Sequence, residues 1–365
     1  MKILLLRLRL LGDVVFTTPL IRALRRRYPE AHIAYVVEPA AAPVVRGNPN
    51  LNEVIVLPRN SGFQRLRDDI SFARTLRRQR FDVAIDLHGG PRGSWLTWAS
   101  GAPMRVGYRT TGRSWMYTHV VARPDDLSAR HSVLKQWELL APLGIIDCDR
   151  SRDAVEMFEN VPAVQRVEHM LAQAGIGPNN QLIMLHVSAG NPFRRWPQDH
   201  FAALVVDLAH RDPRRRFILT SGPSDASATR AIMDRIQARS ERAARAVSHP
   251  QLDVDDLRAL IARAALYIGG DSGPLHVAAT TSTPIVALFG PTLAQRSMPW
   301  RDPRWFAESI DAGPLPCRPC RQRTCEPGDF RCLSRIRPED VAAAAERALV
   351  AAEAEAEPQL RAILA

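Results

Sequence analysis

A chain of 365 residues has room for two domains of ordinary size, and with 46% hydrophobic and 24% charged residues it is neither fibrous nor disordered in composition. No uninterrupted apolar stretch is long enough to span a membrane. Arg7, Arg9 and Asp13 break the apolar start Met1–Leu6 too early for a leader, so a first strand and a cytoplasmic protein are expected. The net charge of +11 is lopsided: residues 1–150 hold 23 Lys and Arg against 13 Asp and Glu. A basic half points to an anionic partner (nucleic acid, an anionic lipid surface or a phosphorylated substrate), although Arg-rich helix backs are mostly solvated faces.

Ile3 to Leu6 reads as a buried strand, followed by a loop to Gly12 and a helix start at Asp13. Val14, Phe16, Leu20, Ile21 and Leu24 form an amphipathic stripe, Arg25-Arg26-Arg27 suits the negative end of the helix dipole, and Pro29 stops the helix. Strands are expected at Ala31–Val37, Val54–Leu57 and Asp82–Leu87, with a short helix Pro39–Arg46 and a long basic one from about Phe63 to Arg80. His88-Gly89-Gly90 closes the fourth strand, and a further helix runs from His131 to Leu143. Residues from about Asp149 to Asn180 look like a boundary holding one helix, Ala163–Ala174. A second alternation follows: strands Leu182–His186 and Arg216–Thr220, and helices Gln198–His210, Asp225–Arg239 and Val254–Ala264. Ala265–Ile268 and Thr283–Phe289 are two more strands, and Pro338–Ala354 is a last helix. Strands alternating with helices mean parallel sheets covered on both faces. The expected fold is therefore α/β, two Rossmann-like doubly wound domains facing each other across a cleft.

Ala265-Leu-Tyr-Ile-Gly-Gly-Asp-Ser-Gly-Pro-Leu-His-Val-Ala-Ala279 organises the second half. Gly269 and Gly270 should break the strand. Asp271 and Ser272 are N-cap types, and Gly273-Pro274 would open a helix with His276 in its first turns. Such a turn offers free N–H groups and a positive helix end to an anion, phosphate being the usual one. Gly290-Pro291-Thr292 is a second small-residue turn, after the next strand. In His186-Val-Ser-Ala-Gly-Asn-Pro-Phe-Arg-Arg-Trp-Pro197, Ser188 and Gly190 offer a hydroxyl and flexible backbone to phosphate, and Arg194 or Arg195 a fixed charge. In Thr220-Ser-Gly-Pro-Ser-Asp225, Asp225 could accept from a ribose or cap the next helix. Asp13 could equally be a cap. No Gly-x-Gly-x-x-Gly follows the first strand and no Walker A motif is present, which argues against an NAD-type domain and a P-loop NTPase. Cys317, Cys320, Cys325 and Cys332 could hold zinc, but only the first pair has zinc-ribbon spacing. A thiol cluster or redox-sensitive loop is the preferred reading, and no metal is assigned.

Together these pieces resemble glycosyltransferase family 9, the heptosyltransferases of lipopolysaccharide core. The resemblance covers about residues 1–345. It rests on Leu-Gly-Asp-Val-Val-x-Thr-x-Pro (Leu11 to Pro19), Arg-Trp-Pro in the middle loop, Gly-Gly-Asp-Ser-Gly-Pro-x-His, Phe-Gly-Pro-Thr and the late cysteines, in the family's order. It implies a GT-B fold and an inverting transfer that needs neither metal nor cofactor. It also implies an acceptor domain at 1–165, a nucleotide-sugar domain at 178–345 and a helical tail at 346–365. Asp13 resembles the acceptor base, with Gly12, Arg9 and His88 beside the acceptor. Arg194 matches a position that is commonly lysine. Asp271, Ser272, Gly273 and His276 resemble the donor site, with Ser-Gly-Pro-Leu in place of the more usual Thr-Gly-x-x, and Ser188 and Asp225 join them as donor-binding candidates from their own turns. The implied partners are a nucleotide sugar, ADP-heptose first, and a lipid-linked anionic saccharide at the inner face of the inner membrane, for a monomer that binds no nucleic acid.

The chemistry agrees with the residues. Inverting displacement needs a base for the acceptor hydroxyl and charge stabilisation for the departing diphosphate; Asp13 and Arg194 are the residue types for those roles. Base and anion site fall in different halves, so closure of the domains would assemble the site. Two other readings stand beside this one. A relative could use another nucleotide sugar and a polysaccharide acceptor. A non-catalytic binder of nucleic acid or anionic surfaces is disfavoured by 6% aromatics and the lack of an interleaved Arg/aromatic run.

Overall fold

The first strand, β1 (Lys2–Leu6), is buried at every position but its first, as a central strand of a parallel sheet must be. It belongs to the first of two units, Met1–Phe158 and Glu159–Ala365, in a computed structural model that describes residues 1–58, 60, 62–123, 125, 127–222, 225–248 and 252–363. The first unit adds β2 (His32–Val37), β3 (Glu53–Val56), β4 (Val83–Asp86), β5 (Met104–Tyr108) and β6 (His119–Val121). All pairs are parallel, in the order β3-β2-β1-β4-β5-β6. The second unit holds β7 (Gln181–His186), β8 (Arg215–Thr220), β9 (Val247–Ser248), β10 (Leu266–Gly270), β11 (Ile285–Phe289) and β12 (Ala307–Asp311). Its order is β12-β11-β10-β7-β8-β9, again all parallel. Each unit thus has the doubly wound Rossmann order, and each places its switch point where ligands bind such sheets: outside the carboxyl ends of β1/β4 and of β7/β10.

Each sheet has its own core. Leu4, Leu6, Ala34, Val36 and Ala84 meet Leu76 and Leu96 of flanking helices in the first unit. Ile183, Leu185, Phe217, Ile268 and Val286 meet Leu204, Leu208 and Val341 in the second. The helix Val161–Gln173, expected in a boundary region, belongs to the second unit and packs on helix Val254–Arg263. The last helix runs unbroken over Pro338–Ile363, and Ala348 and Leu349 are part of the second core.

Other departures have local causes. The expected helix from Asp13 is two helices, Leu11–Val15 and Thr18–Arg27. Thr17 and Thr18 turn their hydroxyls back onto Val14 O and Val15 O at 2.6 and 2.8 Å, and Pro19 has no N–H to continue the ladder. Gly269 and Gly270 do not end their strand: they pair with Ala287 and Leu288 of β11. The helix Pro91–Ala99 and strands β5, β6, β9 and β12 had no counterpart in the sequence reading. Among the described residues no helix is long and apolar enough to cross a membrane.

Candidate functional site

The rim of the first sheet is built on Arg7. Its backbone still bonds β2 (N–H to Val36 O, 3.1 Å), which holds the residue at the strand end, and its side chain is buried. Nη1 donates to Leu87 O and to His88 Nδ1, both at 2.9 Å, and Nη2 lies 2.5 Å from Asp13 Oδ2. Leu10, exposed and at φ +48, turns the chain between Arg7 and Asp13, a backbone state that costs a non-glycine residue about 1–3 kcal/mol. Asp13 is the third residue of helix Leu11–Val15, not its cap. Its carboxylate is therefore engaged by Arg7 through Oδ2, and no hydrogen bond reaches Oδ1 among the described residues. Gly12 is buried in the same turn, and Arg9 is exposed with no ion pair among the described residues.

The β4 side of this rim is organised by Asp86, which is fully buried. Its Oδ1 accepts from the N–H groups of His88 and Gly89 at 3.0 and 2.9 Å, and its Oδ2 from Tyr117 Oη at 2.7 Å. These bonds shape the turn that presents His88 to Arg7. Burial, reinforced by the Arg7 charge, lowers the His88 pKa below the ordinary imidazole value. A neutral ring whose Nδ1 accepts from Arg7 carries its proton on Nε2. In that state His88 is a hydrogen-bond donor toward a ligand and a poor base.

The second rim gathers three loops around two arginines. Arg194 Nη1 donates to Asp271 O at 3.2 Å and lies 3.1 Å from Asp271 Oδ2, while Nε donates to Gln322 Oε1 at 2.7 Å. Nη2 makes no hydrogen bond among the described residues, so the guanidinium is oriented and keeps one edge free for an anion. Arg195 turns to the other side, with Nη2 3.0 and 3.1 Å from the two oxygens of Asp225. Asp225 occupies the N-cap position of helix Ala226–Arg239 but makes no side-chain cap bond, so its carboxylate serves Arg195. The residues before it, Pro223 and Ser224, lie outside the described residues. Ser188 Oγ accepts from Gly222 N–H at 2.8 Å and stands 3.3 Å from His186 Nε2, tying the β7 and β8 loops together.

At the end of β10, Asp271 is buried, 3.8 Å through Oδ1 from His276 Nε2. Ser272 takes the N-cap position of helix Gly273–Ala278 without a side-chain cap bond. Its hydroxyl oxygen is buried and has no partner among the described residues. With six residues this helix has little macrodipole to offer. The positive charge at this rim is that of Arg194, and the turn contributes backbone N–H groups and the Ser272 hydroxyl. Gly270 permits the arrangement: a Cβ there would stand 3.0 Å from Arg194 O. Trp196 anchors the same loop from below, buried, with Nε1 donating to Ile336 O at 3.0 Å.

The structure thus brings Arg194, Asp271, Ser272, Gly273 and His276 together, holds Ser188 and Asp225 in the neighbouring loops, and groups Gly12, Asp13 and His88 on the other unit's rim. Sequence reasoning missed Arg7, Asp86 and Gln322. The four late cysteines are free thiols, and among the described residues no three His, Cys, Asp or Glu side chains gather as a metal would require. Burial and the neighbouring Cys317, Cys320 and Cys325 raise the Cys332 thiol to about 11.

Two Rossmann-ordered units with charged, partly unsatisfied groups at their switch points define the GT-B fold. The sequence signature described as Glycosyltransferase family 9 (heptosyltransferase) matches residues 70–329, and the chain belongs to that family. It is similar to lipopolysaccharide heptosyltransferase 3 of Escherichia coli strain K12, with 28% identity across 93% of this chain and 95% of the relative. Among solved structures it resembles the glycosyl transferase family 9 protein of Veillonella parvula DSM 2008, at 25% identity and a TM-score of 0.79 over 96% of this chain and 97% of that one. It also resembles the E. coli ADP-heptose lps heptosyltransferase II, at 22% identity and a TM-score of 0.77 over 97% of this chain and all of the other.

Proposed function

We propose that this glycosyltransferase moves heptose from ADP-heptose to a lipopolysaccharide core or a related anionic glycolipid, by one inverting, metal-independent displacement. The observation that carries the reading is Arg194: a guanidinium oriented by Asp271 and Gln322 that keeps one edge free, on the rim that also holds the unengaged Ser272 hydroxyl, in a family 9 chain. The names of the relatives support the donor and the acceptor class.

In the proposed step the acceptor oxygen bonds to the anomeric carbon as the bond to the diphosphate breaks. Asp13 takes the acceptor's proton, with Arg7 holding the carboxylate in orientation through Oδ2 and leaving Oδ1 to the substrate. Arg194, Ser272 and the N–H groups near Gly273 balance the charge that develops on the leaving diphosphate. Ser188, His276 and the lone pairs of Asp225 not used by Arg195 hold the rest of the donor. Gly12, Arg9 and His88 contact the acceptor, whose anionic groups suit a basic first unit. The enzyme would act as a monomer, peripheral on the inner face of the inner membrane.

Thermal shift with ADP, UDP and GDP tests the donor, because a ligand that binds the folded site raises stability by mass action. ADP is expected to give the largest shift, and NMR of the product from ADP-heptose should show an inverted anomeric configuration. A larger shift with UDP or GDP would move the reading to a relative with another donor and a polysaccharide acceptor. A retained configuration would remove Asp13 as base.

A further inference from the structure

Gln322 lies in the loop between β12 and the short helix Arg331–Ser334, a stretch notable in the sequence only for its cysteines. Its backbone stands at φ +57, which a non-glycine residue keeps when surrounding contacts over-determine it. Those contacts are present. Gln322 N–H donates to Cys320 Sγ at 3.2 Å, and Cys320 N–H donates to Pro291 O at 3.2 Å. Arg318 fixes the loop's start through Thr292 O at 3.0 Å and Asp311 Oδ2 at 2.8 Å. The side chain then joins this loop to two others. Oε1 accepts from Arg194 Nε at 2.7 Å and from Asn191 Nδ2 at 3.0 Å, and Nε2 reaches Thr292 Oγ1 at 3.4 Å.

We infer that Gln322 is a positioning residue for the transfer: it sets the plane of the Arg194 guanidinium for the donor diphosphate, an inference that rests on the role proposed for Arg194 above. Asp271 alone holds Arg194 through Nη1, and a guanidinium held at one nitrogen can swivel. A second grip at Nε fixes the plane of the fork. The chemistry of the grip matters too. Asp271 already sets one negative charge against Arg194, and a second carboxylate would cancel its attraction for phosphate. A neutral amide oxygen supplies geometry without that cost.

The test is a double-mutant cycle in ADP affinity by calorimetry and in turnover with ADP-heptose. Gln322→Met keeps the side chain's size and removes the acceptor; in the parent it should weaken both readouts by about tenfold, the usual worth of a hydrogen bond to a charged group. In the Arg194→Ala background, where no guanidinium is left to position, the same change should cost less than about twofold. A brace that only shapes the cysteine loop would cost the same factor in both backgrounds, and that result overturns the inference. Gln322→Glu, which keeps the loop's reach, provides a second route should the Met variant unfold. It should bind ADP at least about tenfold more weakly by setting a charge against Arg194, and unchanged affinity would equally overturn the idea. If Arg194→Ala alone leaves ADP binding and turnover intact, it is the proposed role of Arg194 that fails; if it is damaging and the cycle is additive, only the role of Gln322 fails.

Discussion

Asp13 owes its place to Arg7, and that changes what its substitution should do. From sequence, Asp13→Asn would be expected to leave stability nearly untouched, since Asn caps a helix about as well as Asp. In the structure Asp13 caps nothing and pairs with a guanidinium that is 5% exposed. Asp13→Asn keeps an oxygen for Arg7 but loses the charge, so a loss of about 1–3 kcal/mol in urea denaturation is expected. Turnover should fall by at least about 10²-fold, because an amide cannot take the acceptor's proton. ADP affinity should stay within about twofold of the parent, the donor groups being on other elements. Parent-like turnover in a folded variant, with chemistry rate-limiting, would sink the base assignment. His186 gives an independent residue-scale expectation. Burial lowers its pKa from 6.5 to about 4, while Thr220 Oγ1 and Ser188 Oγ stand 3.0 and 3.3 Å from its two ring nitrogens. The folded value lies below the unfolded one, so the unfolded chain binds the extra proton and stability must drop as pH falls from 6.5 toward 4. The drop is about 3 kcal/mol for a shift of that size. Urea midpoints taken at several pH values should show this slope in the parent and a flatter one in His186→Asn; parallel slopes would mean that the imidazole is not the sensor.

Among the elements, the end of β10 shows most clearly what a sequence can and cannot announce. Gly269 and Gly270 look like a strand terminator, yet both are in the ladder, because what they permit is close approach from the side. A Cβ at Gly269 would stand 2.6 Å from Tyr267 Oη, and one at Gly270 would stand 3.0 Å from Arg194 O. Gly270→Ala should therefore push the β7 loop outward and displace Arg194. The expected result is ADP affinity reduced by about tenfold or more, with a stability loss of about 1–3 kcal/mol for the overpacking. Unchanged ADP affinity in that variant would mean the loop's position does not matter to the nucleotide. The strands legible in advance were the buried ones, such as β1, β7 and β11, whose apolar runs are fixed by burial on both faces. Most of the missed ones are short or lie at sheet edges: β9 has two residues, β6 is mostly exposed, and β12 alternates no clear apolar face; β5 is an inner strand, but Arg105 and Gly107 interrupt its apolar run. The motif residues Asp13, Arg194 and Asp271 could be found because each follows a strand in a turn of recognisable composition. Arg7 could not, since its pairing depends on the positive φ of Leu10, which no residue preference predicts. Gln322 reaches Arg194 from a distant loop, and nothing local marks the contact.

For the molecule as a whole, charge and chemistry divide along the same line. Residues 1–158 carry 24 Lys and Arg against 15 Asp and Glu, while residues 159–365 carry 25 against 23. The nearly neutral unit holds the proposed nucleotide groups, where one oriented arginine is set against the buried Asp271 and the half-buried Gln322. The basic unit holds the proposed base. Two kinds of anion recognition are implied, and salt should separate them. Attraction between a broadly basic surface and a polyanionic acceptor acts over distance and is screened once the Debye length shrinks from about 10 Å at 0.1 M salt to about half that at 0.4 M. Short, directed hydrogen bonds from Arg194 and the Ser272 turn to a diphosphate are screened much less. Raising salt from 0.1 to 0.4 M should therefore increase KM for the anionic acceptor several-fold while the KM for ADP-heptose rises by less than about twofold. Hydrogen exchange should report the same division: saturating ADP should protect residues 186–196, 269–276 and 290–293 most strongly, the loops at the C-terminal ends of β7, β10 and β11. Were both substrates to show the same salt dependence, or the strongest ADP protection to fall on residues 7–13 and 86–90, the assignment of donor and acceptor to the two units would be reversed or wrong.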